Sequence, residues 1–349
     1  MTRMGVVAAV GPLGWWQEAG GARYVSYRGA LNGSKLRLHY GFDGWCEPIR
    51  EVWLESAGPD LAVAQVPELE SHLALDCAVT DGERWDNNGG VNYRLWTGFN
   101  ALDAHMHLSG RGAGALGAHS LATAMASAGM ACGISSWLDN RALDQVDCAA
   151  ARIFPLVWVR PGGTELDEVR GRLDAGAVGL KLHPTVDGYP ADDRALDPYI
   201  AIAEQNGCPV ACHSAPGEAD PDNILRLAER FPSVPIIMYH TYLGPHEGRR
   251  RAAAHVREQA NLYLETSWCR ADVVIRLVTE VGADHVLFGS DASIDGPAHY
   301  CRHPPNVEGR ETYNDGLLAL VRSLDPQAAR AVMGDNARRL FRLNDNSHA

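Results

Sequence analysis

The stretch ALDAHMHLSG, residues 101–110, begins with apolar residues and then places Asp103, His105 and His107 at alternate positions. In a β-strand, alternate side chains point to the same face, so these three side chains would project together. Two imidazoles directed at one point can bind a metal ion, but histidines at a strand end can also be satisfied by hydrogen bonds. These ten residues alone are compatible with both interpretations, and the rest of the sequence is needed to distinguish them.

From residue 98 onward, short apolar runs alternate with amphipathic stretches. The candidate strands are NALDAHMHL, GMACGISS, RIFPLVWV, AVGLKLHP, CPVACHS, VPIIMYHT, NLYLETS and DHVLFGSD, and a helical candidate follows each of them. Strands that are apolar throughout are typical of a parallel sheet covered on both faces. Eight such units in about 250 residues predict an α/β fold, the closed (β/α)8 or TIM barrel. An open doubly wound sheet is the alternative, but no G-x-G-x-x-G pattern follows the first strand.

Residues 1–97 differ from the remainder. Runs such as KLRLHYGF, REVWLES and VNYRLW alternate apolar and polar residues, and closely spaced Gly, Asn, Asp and Pro residues separate them. This spacing predicts a small all-β sandwich in front of the barrel. We therefore expect two domains, residues 1–97 and residues 98–349.

The composition of the 349 residues is that of an ordinary globular protein, with 46% hydrophobic and 21% charged residues. The formal net charge of −12 argues against nucleic acid or an anionic membrane as a partner. The eight cysteines form no C-x-x-C pair and are too sparse for a disulfide scaffold. Gly11 and Pro12 interrupt the apolar N-terminal stretch, and no apolar run is long enough to span a bilayer, so we expect a cytoplasmic protein.

The active site of a TIM barrel lies at the C-terminal ends of its strands. Polar or ionisable side chains stand near the ends of most candidate strands, namely His105, His107, Lys181, His183, His213, His240, Glu265, Ser267 and Asp291. One such residue alone is more often structural than functional, but their joint placement predicts one site. Imidazole and carboxylate ligands suit Zn²⁺ or a similar divalent ion and leave a position open for water. A carboxylate on the eighth strand can bind the metal and also accept a proton.

Residues 98–341 resemble the amidohydrolase superfamily, in particular the amidohydrolase-related branch that includes aminocarboxymuconate-semialdehyde decarboxylase. The stretches that carry this resemblance are, in order, DAHMH, GLKLHP, PVACHSAPG, IIMYHTYLG, NLYLETS, VLFGSDAS and VMGDNARRLFRL. The resemblance is specific for the fold and the metal centre, and much less specific for the reaction.

The resemblance also implies roles for individual residues. The metal ligands would be His105, His107, His213 and Asp291. Asp291 would in addition shuttle a proton, and His240 would polarise the substrate or orient the attacking water. In binuclear relatives a lysine at the place of Lys181 is carbamylated and bridges two metals; otherwise Lys181 would pair with a substrate carboxylate or with Asp291. The implied cofactor is one divalent ion, most simply Zn²⁺, with a second ion if Lys181 is carbamylated.

The N-terminal residues carry a resemblance of their own. LRLHYGFDGW, residues 36–45, and WDNNGGVNYRL, residues 85–95, are similar to parts of a starch-binding carbohydrate-binding module. The resemblance implies that His39, Trp45 and Trp85 form a platform for an α-glucan and that Asn88 hydrogen-bonds a sugar hydroxyl. An appended sandwich can also serve only as a packing or dimer surface, since architecture alone does not imply function.

These patterns together predict a metal-dependent hydrolase that uses a metal-activated water on a small amide, lactone or ester. The alternatives are a metal-dependent, non-oxidative decarboxylase of a small unsaturated or aromatic acid, and a glucan-binding protein with an inactive barrel. The expected partners are a small-molecule substrate, an α-glucan and a second copy of the chain. The segment 292–316 is too long for an ordinary connection and carries His299, Tyr300, Arg302 and His303, so it is either a lid over the site or a surface excursion.

Overall fold

The computed structural model describes residues 3–31, 35–46, 48–108, 117–145, 147–149, 151–292 and 315–343. Residues 293–314 of the long segment after the last strand, including His299, Tyr300, Arg302 and His303, lie outside the described residues.

Among the described residues, nine antiparallel strands form the N-terminal part. Their bounds are Arg3–Val10 (β1), Leu13–Glu18 (β2), Arg23–Tyr27 (β3), Leu36–Phe42 (β4), Arg50–Gly58 (β5), Leu61–Gln65 (β6), Ala74–Thr80 (β7), Trp85–Asp86 (β8) and Tyr93–Trp96 (β9). They pair in the order β1-β2-β3-β6-β5-β4-β7-β8, and β9 pairs with β7. The predicted all-β class is confirmed, but the strands form one curled sheet. The curl brings β2 against β9, where Trp15 Nε1 donates a hydrogen bond to the Trp96 carbonyl at 2.8 Å.

In the part of the chain that the structure describes, eight parallel strands follow in sequence order, as predicted. Their bounds are Ala101–His107 (β10), Met130–Ser136 (β11), Ile153–Trp158 (β12), Gly179–Leu182 (β13), Val210–His213 (β14), Ile236–Tyr239 (β15), Leu262–Glu265 (β16) and Val286–Leu287 (β17). Backbone hydrogen bonds join the last strand to the first: Ala104 N donates to Phe288 O at 2.9 Å, and Asp291 N donates to His105 O at 2.8 Å. These bonds close the barrel that the apolar runs predict.

The helices lie between and after the barrel strands. Their bounds are Ala118–Ala128 (α1), Leu166–Asp174 (α2), Pro184–Asp187 (α3), Asp197–Asn206 (α4), Pro221–Arg230 (α5), His246–Glu258 (α6), Ala271–Val281 (α7), Asp315–Ser323 (α8), Pro326–Arg330 (α9) and Asn336–Leu340 (α10), with a π-helical turn at Ala331–Asp335. Local sequence explains several ends: Asp220 caps α5 by accepting from Asp222 N, and Gly207 ends α4 in a left-handed conformation. Within the described ranges, none of these helices combines the length and apolar character that a membrane crossing requires.

Side chains alternate between the barrel interior and the helix layer. The apolar interior is filled by residues such as Leu102, Ile134, Leu156, Ala211, Ile237, Tyr263 and Leu287. The intervening residues Val157, Leu180, Cys212, Met238 and Leu264 belong to the core beneath the helices. The side chains that face the barrel interior are apolar along the strands and polar at the C-terminal strand ends.

The N-terminal sheet packs on the first units of the barrel. Its apolar core includes Ala126 of α1 and Ala131 of β11. The Asn88 amide donates to the Asn92 carbonyl at 2.9 Å and to the Thr123 carbonyl of α1 at 2.8 Å. The sheet and the barrel are therefore joined by buried contacts in addition to the connecting chain.

Candidate metal centre

Three buried donor atoms meet at the C-terminal mouth of the barrel. His105 Nε2 and His107 Nε2, both from β10, lie 3.1 Å apart. Asp291, which follows β17, places Oδ1 3.0 Å from His107 Nε2 and 3.3 Å from His105 Nε2. The first and last strands can supply one site because barrel closure makes them neighbours.

Each of the three candidate ligands makes a hydrogen bond through the atom that faces away from the group. This bond directs the ligand's free lone pair toward the other two ligands. His105 Nδ1 lies 2.9 Å from Glu265 Oε2, and His107 Nδ1 lies 3.1 Å from the Ser136 carbonyl, so each Nδ1 carries the proton and donates it. Trp268 Nε1 donates to Asp291 Oδ2 at 2.6 Å, which leaves Oδ1 facing the two imidazoles. Metal-binding histidines are oriented by this kind of outer hydrogen bond.

The donor set fits a divalent cation. Asp291 Oδ1 is buried and accepts no hydrogen bond from the described residues, an arrangement that is costly unless a cation or a proton lies beside it. Burial lowers the pKa of His105 well below its usual value, so its imidazole is neutral and able to bind a metal. Two imidazoles and one carboxylate suit Zn²⁺ and similar ions.

His213 and His240 reach the same mouth as a hydrogen-bonded pair. His213 Nδ1 lies 3.1 Å from His240 Nε2, and His240 Nδ1 lies 2.8 Å from Ser267 Oγ. The His240 ring centroid is 5.0 Å from that of His105. Among the described residues His213 does not join the group of mutually close donor atoms that His105, His107 and Asp291 form. Its role as the fourth ligand therefore stays a prediction.

Glu265 organises the site, although the sequence indicated only that it stands near a strand end. One of its oxygens, Oε2, accepts from His105 Nδ1, from His240 N at 3.0 Å and from Ser267 Oγ at 2.7 Å. Its other oxygen accepts from Ser267 N. Burial raises the pKa of Glu265, and these hydrogen bonds to the carboxylate act in the opposite direction. Glu265 thus connects the residues of β10, β15 and β16.

Lys181 lies inside the barrel beside the site. Its Nζ is 3.9 Å from the centroid of the Tyr239 ring, and Tyr239 stacks on His105 with a centroid distance of 3.7 Å. Burial lowers the pKa of Lys181 to about 8. His105, His240 and Glu265 form a second group of close donor atoms. The catalytic role of Lys181 and its carbamylation stay predictions.

Asp103 does not share the alternation expected from the opening stretch. A register shift lies between Asp103 and Met106 where β10 pairs with β11. Asp103 Oδ1 instead accepts from His105 N at 3.0 Å and from Ser290 N at 2.9 Å. Its carboxylate ties β10 to the segment after β17, so it supports the two ligand-bearing segments without joining the donor group.

The N-terminal sheet carries a second feature, a shallow cavity of about 410 Å³. It brings together the three predicted platform residues and four others: His39, Trp45, Ile49, Ala78, Trp85, Asn87 and Asn92. The His39 ring lies 5.3 Å from that of Trp85 and 6.1 Å from that of Trp45. Asn88 is absent from this lining, because it is buried and both of its amide hydrogen bonds go to backbone carbonyls. The expectation that Asn88 hydrogen-bonds a sugar therefore disagrees with the structure.

Comparison with known proteins bears on the barrel. A family model described as "Amidohydrolase" matches residues 102–343, while no curated protein matches the chain. The chain is similar to a crystal structure of a probable 2-pyrone-4,6-dicarboxylic acid hydrolase from Acinetobacter baumannii with citric acid bound. The identity is 14% and the TM-score 0.55, over 70% of this chain and 99% of that one.

Two further solved structures are similar. One is an uncharacterised TIM-barrel protein from Bordetella bronchiseptica, with 20% identity and a TM-score of 0.51 over 69% of this chain and 98% of that one. The other is an amidohydrolase 2 from Bifidobacterium longum subsp. infantis, with 16% identity and a TM-score of 0.51 over 70% of this chain and 99% of that one. At these identities the likenesses show the fold, and they give no support to the starch-binding resemblance of the N-terminal sheet. Since the family match spans the whole barrel and all candidate ligands, the chain belongs to the amidohydrolase family, whose members are divalent-metal hydrolases or decarboxylases.

Proposed function

We propose that this protein is a metal-dependent hydrolase of a small amide, lactone or ester. The observation that supports this most directly is the buried group of His105 Nε2, His107 Nε2 and Asp291 Oδ1, in which the carboxylate oxygen accepts no hydrogen bond from the described residues. A divalent cation, when bound, supplies Lewis acidity and makes water a nucleophile at neutral pH. Zn²⁺ is our proposal for that cation, because two imidazoles and a carboxylate are ligands it commonly takes.

The residues of the chain have separate tasks in this proposal. His105 and His107 hold the cation through Nε2, because their Nδ1 atoms are engaged by Glu265 and by the Ser136 carbonyl. Asp291 holds it through Oδ1 and is the acceptor for the proton that the nucleophile loses. The leaving group would receive that proton from the same carboxylate.

His213 and His240 complete the site. When His213 Nδ1 donates to His240 Nε2, the second nitrogen of His213 is left to bind the cation. Burial lowers the pKa of His240 to about 4, so its ring is neutral at physiological pH. In this arrangement His240 Nε2 accepts from His213, and the single proton of the neutral ring lies on Nδ1 beside Ser267 Oγ. We therefore assign His240 to orienting His213, and polarisation of the substrate by His240 stays a prediction from the amidohydrolase resemblance.

The experiment that tests this proposal measures the products of the reaction and not the binding of metal. The protein reconstituted with Zn²⁺ is incubated in ¹⁸O-labelled water with a panel of small amides, lactones, esters and unsaturated or aromatic acids. Incorporation of ¹⁸O into a product, lost in Asp291→Asn, supports hydrolysis. Release of CO₂ without incorporation makes the protein a decarboxylase, the other activity in the family. No turnover with either class, despite bound metal, contradicts the proposal for these substrate classes.

We also propose that the cavity on the N-terminal sheet binds an α-glucan. The supporting observation is that His39 and Trp45 line one cavity with Trp85, which lies far from both in sequence. The Trp85 side chain is 50% exposed, and an exposed indole face can pack on the apolar face of a pyranose ring. The side-chain amide nearest a bound sugar would come from Asn87 or Asn92 instead of Asn88.

A further inference from the structure

Three aromatic rings from successive barrel strands form a stack beside the metal centre. Trp158 ends β12, His183 directly follows β13, and His213 ends β14. The Trp158 and His183 rings lie 5.4 Å apart with an interplanar angle of 19°. The His183 and His213 rings lie 4.0 Å apart at 15°, close enough for face-to-face contact. The stack ends on the one predicted metal ligand that lies outside the donor group.

The short helix α3 makes hydrogen bonds to Trp158 and His183, the two rings of the stack other than His213. Its first turn donates a hydrogen bond from Val186 N to His183 Nδ1 at 3.3 Å. Its last residue, Asp187, accepts from Trp158 Nε1 at 2.7 Å and from Arg160 Nε at 2.7 Å. The Arg160 guanidinium also lies 5.5 Å from the Trp158 ring centroid, on which it can make a cation–π contact. Trp158 and His183 are thus held by hydrogen bonds as well as by packing.

Fixing those rings restricts His213. Its face is covered by His183, and its Nδ1 is engaged by His240 Nε2 at 3.1 Å. A ring held by one face and one nitrogen has little freedom about its side-chain torsions. The nitrogen that remains, Nε2, then has one direction available to it. Ligands held in advance bind metal more tightly, because less conformational freedom is lost on binding.

We propose that Trp158 and His183 are positioning residues that fix the plane of the His213 imidazole for binding of the divalent cation. The proposal rests on the metal-dependent function proposed above and deepens it. It assigns to His183 a role carried by the face of its ring, with neither ring nitrogen bound to the metal or to substrate. Nothing in the amidohydrolase resemblance assigns a role to either residue.

The test measures metal affinity and needs no substrate. Metal-free protein competes with a chromophoric chelator for Zn²⁺, and far-UV circular dichroism and thermal melting report on the fold. We expect His183→Ala to bind Zn²⁺ about 10- to 100-fold more weakly than the wild type, the range typical for loss of a residue that orients a ligand. His183→Phe keeps a flat ring but has no ring nitrogen, and we expect its affinity to stay within about threefold of the wild type.

A matched control removes a stacked imidazole elsewhere. His285 stacks on Tyr263 with a centroid distance of 5.0 Å and an angle of 18°, and it immediately precedes β17, at the opposite end of the barrel. His285→Ala should lower the melting temperature without changing Zn²⁺ affinity. If His183→Ala does not fold, His183→Leu, which keeps most of the side-chain volume but not the ring, takes its place.

Two results would overturn the inference. If His183→Ala binds Zn²⁺ as tightly as the wild type, the stack does not position His213. If His183→Phe is as weak as His183→Ala, His183 acts through a nitrogen and not through its face. The Zn²⁺ affinity of His107→Ala shows whether such a result contradicts only this inference or also the proposed metal-dependent function. When His107→Ala loses affinity and His183→Ala does not, only the inference fails; when the wild type itself binds no Zn²⁺, the metal-dependent function fails as well.

Discussion

Trp268 donates its indole N–H to Asp291 Oδ2 at 2.6 Å, and this bond leaves Oδ1 directed at the two histidines of β10. Asp291 and Trp268 both have a positive φ, 60° and 64°, a conformation uncommon for residues other than glycine. Backbone strain of this kind persists only where the surrounding structure holds it, and it is often found at functional sites. The Trp268–Asp291 pair is therefore a sensitive point at which to perturb the metal centre.

Replacing Trp268 by Phe should weaken the metal centre while keeping the fold. Phe retains most of the aromatic packing but cannot donate to Asp291, so the carboxylate gains rotational freedom. We expect about a 10- to 100-fold loss of Zn²⁺ affinity, measured by chelator competition. Unchanged affinity with an unchanged melting temperature would show that the indole does not orient Asp291.

Loading the metal should stabilise the protein, because the ligand atoms come together only in the folded state. At a free metal concentration of 100 times the dissociation constant, binding contributes about 2.7 kcal/mol to the free energy of unfolding. Thermal melting with and without Zn²⁺ measures this gain. His107→Ala should lose most of it, and an equal gain in that variant would place the bound ion elsewhere.

Glu265→Gln should damage the site through its orienting hydrogen bonds. The Glu265 carboxylate accepts from His105 Nδ1, His240 N and both donors of Ser267, whereas Gln presents an NH₂ group to some of these donors. A buried donor left without an acceptor costs about 1–3 kcal/mol of folding free energy. We expect a loss of this size in urea denaturation together with weaker metal binding. Loss of stability alone would mean that Glu265 does not set the orientation of His105.

The aromatic cavity predicts which tryptophans retain the protein on insoluble starch. Trp45→Ala and Trp85→Ala should each reduce the bound fraction at least about tenfold, since stacked aromatic rings contribute much of the energy at such surfaces. Trp53 is the control: it is 57% exposed on β5, and it does not line the cavity. Equal retention of Trp85→Ala and Trp53→Ala would refute the α-glucan proposal and leave the barrel proposal untouched.

Asn88→Ala separates a structural role from a ligand-binding one. Its amide donates to the carbonyls of Asn92 and Thr123, so its loss leaves two buried acceptors without these donors. We expect about 1–3 kcal/mol less stability in urea denaturation and unchanged retention on starch. A stable variant with lost starch retention would restore the role that the starch-binding resemblance gives to Asn88.

Local sequence patterns predict the barrel and the strand ends at which the candidate ligands lie. Apolar runs buried on both faces recur eight times, and each run corresponds to a strand between Ala101 and Leu287. Because parallel strands end at one mouth, the placement of His105, His107 and Asp291 near the ends of candidate strands predicts that they lie at that mouth. Local periodicity is sufficient for such predictions, since it depends only on neighbouring residues.

Which side chains are in contact depends on how distant parts of the chain pack together. The bond between His105 and Glu265 joins residues 160 positions apart, and no local pattern encodes that pairing. A register shift in β10 removes Asp103 from the expected alternation, and packing against α1 takes Asn88 away from the cavity. The curl of the N-terminal sheet and the stack of His183 on His213 likewise depend on how strands and helices pack. Contacts of this kind are set by strand register and barrel closure, which involve the whole chain at once.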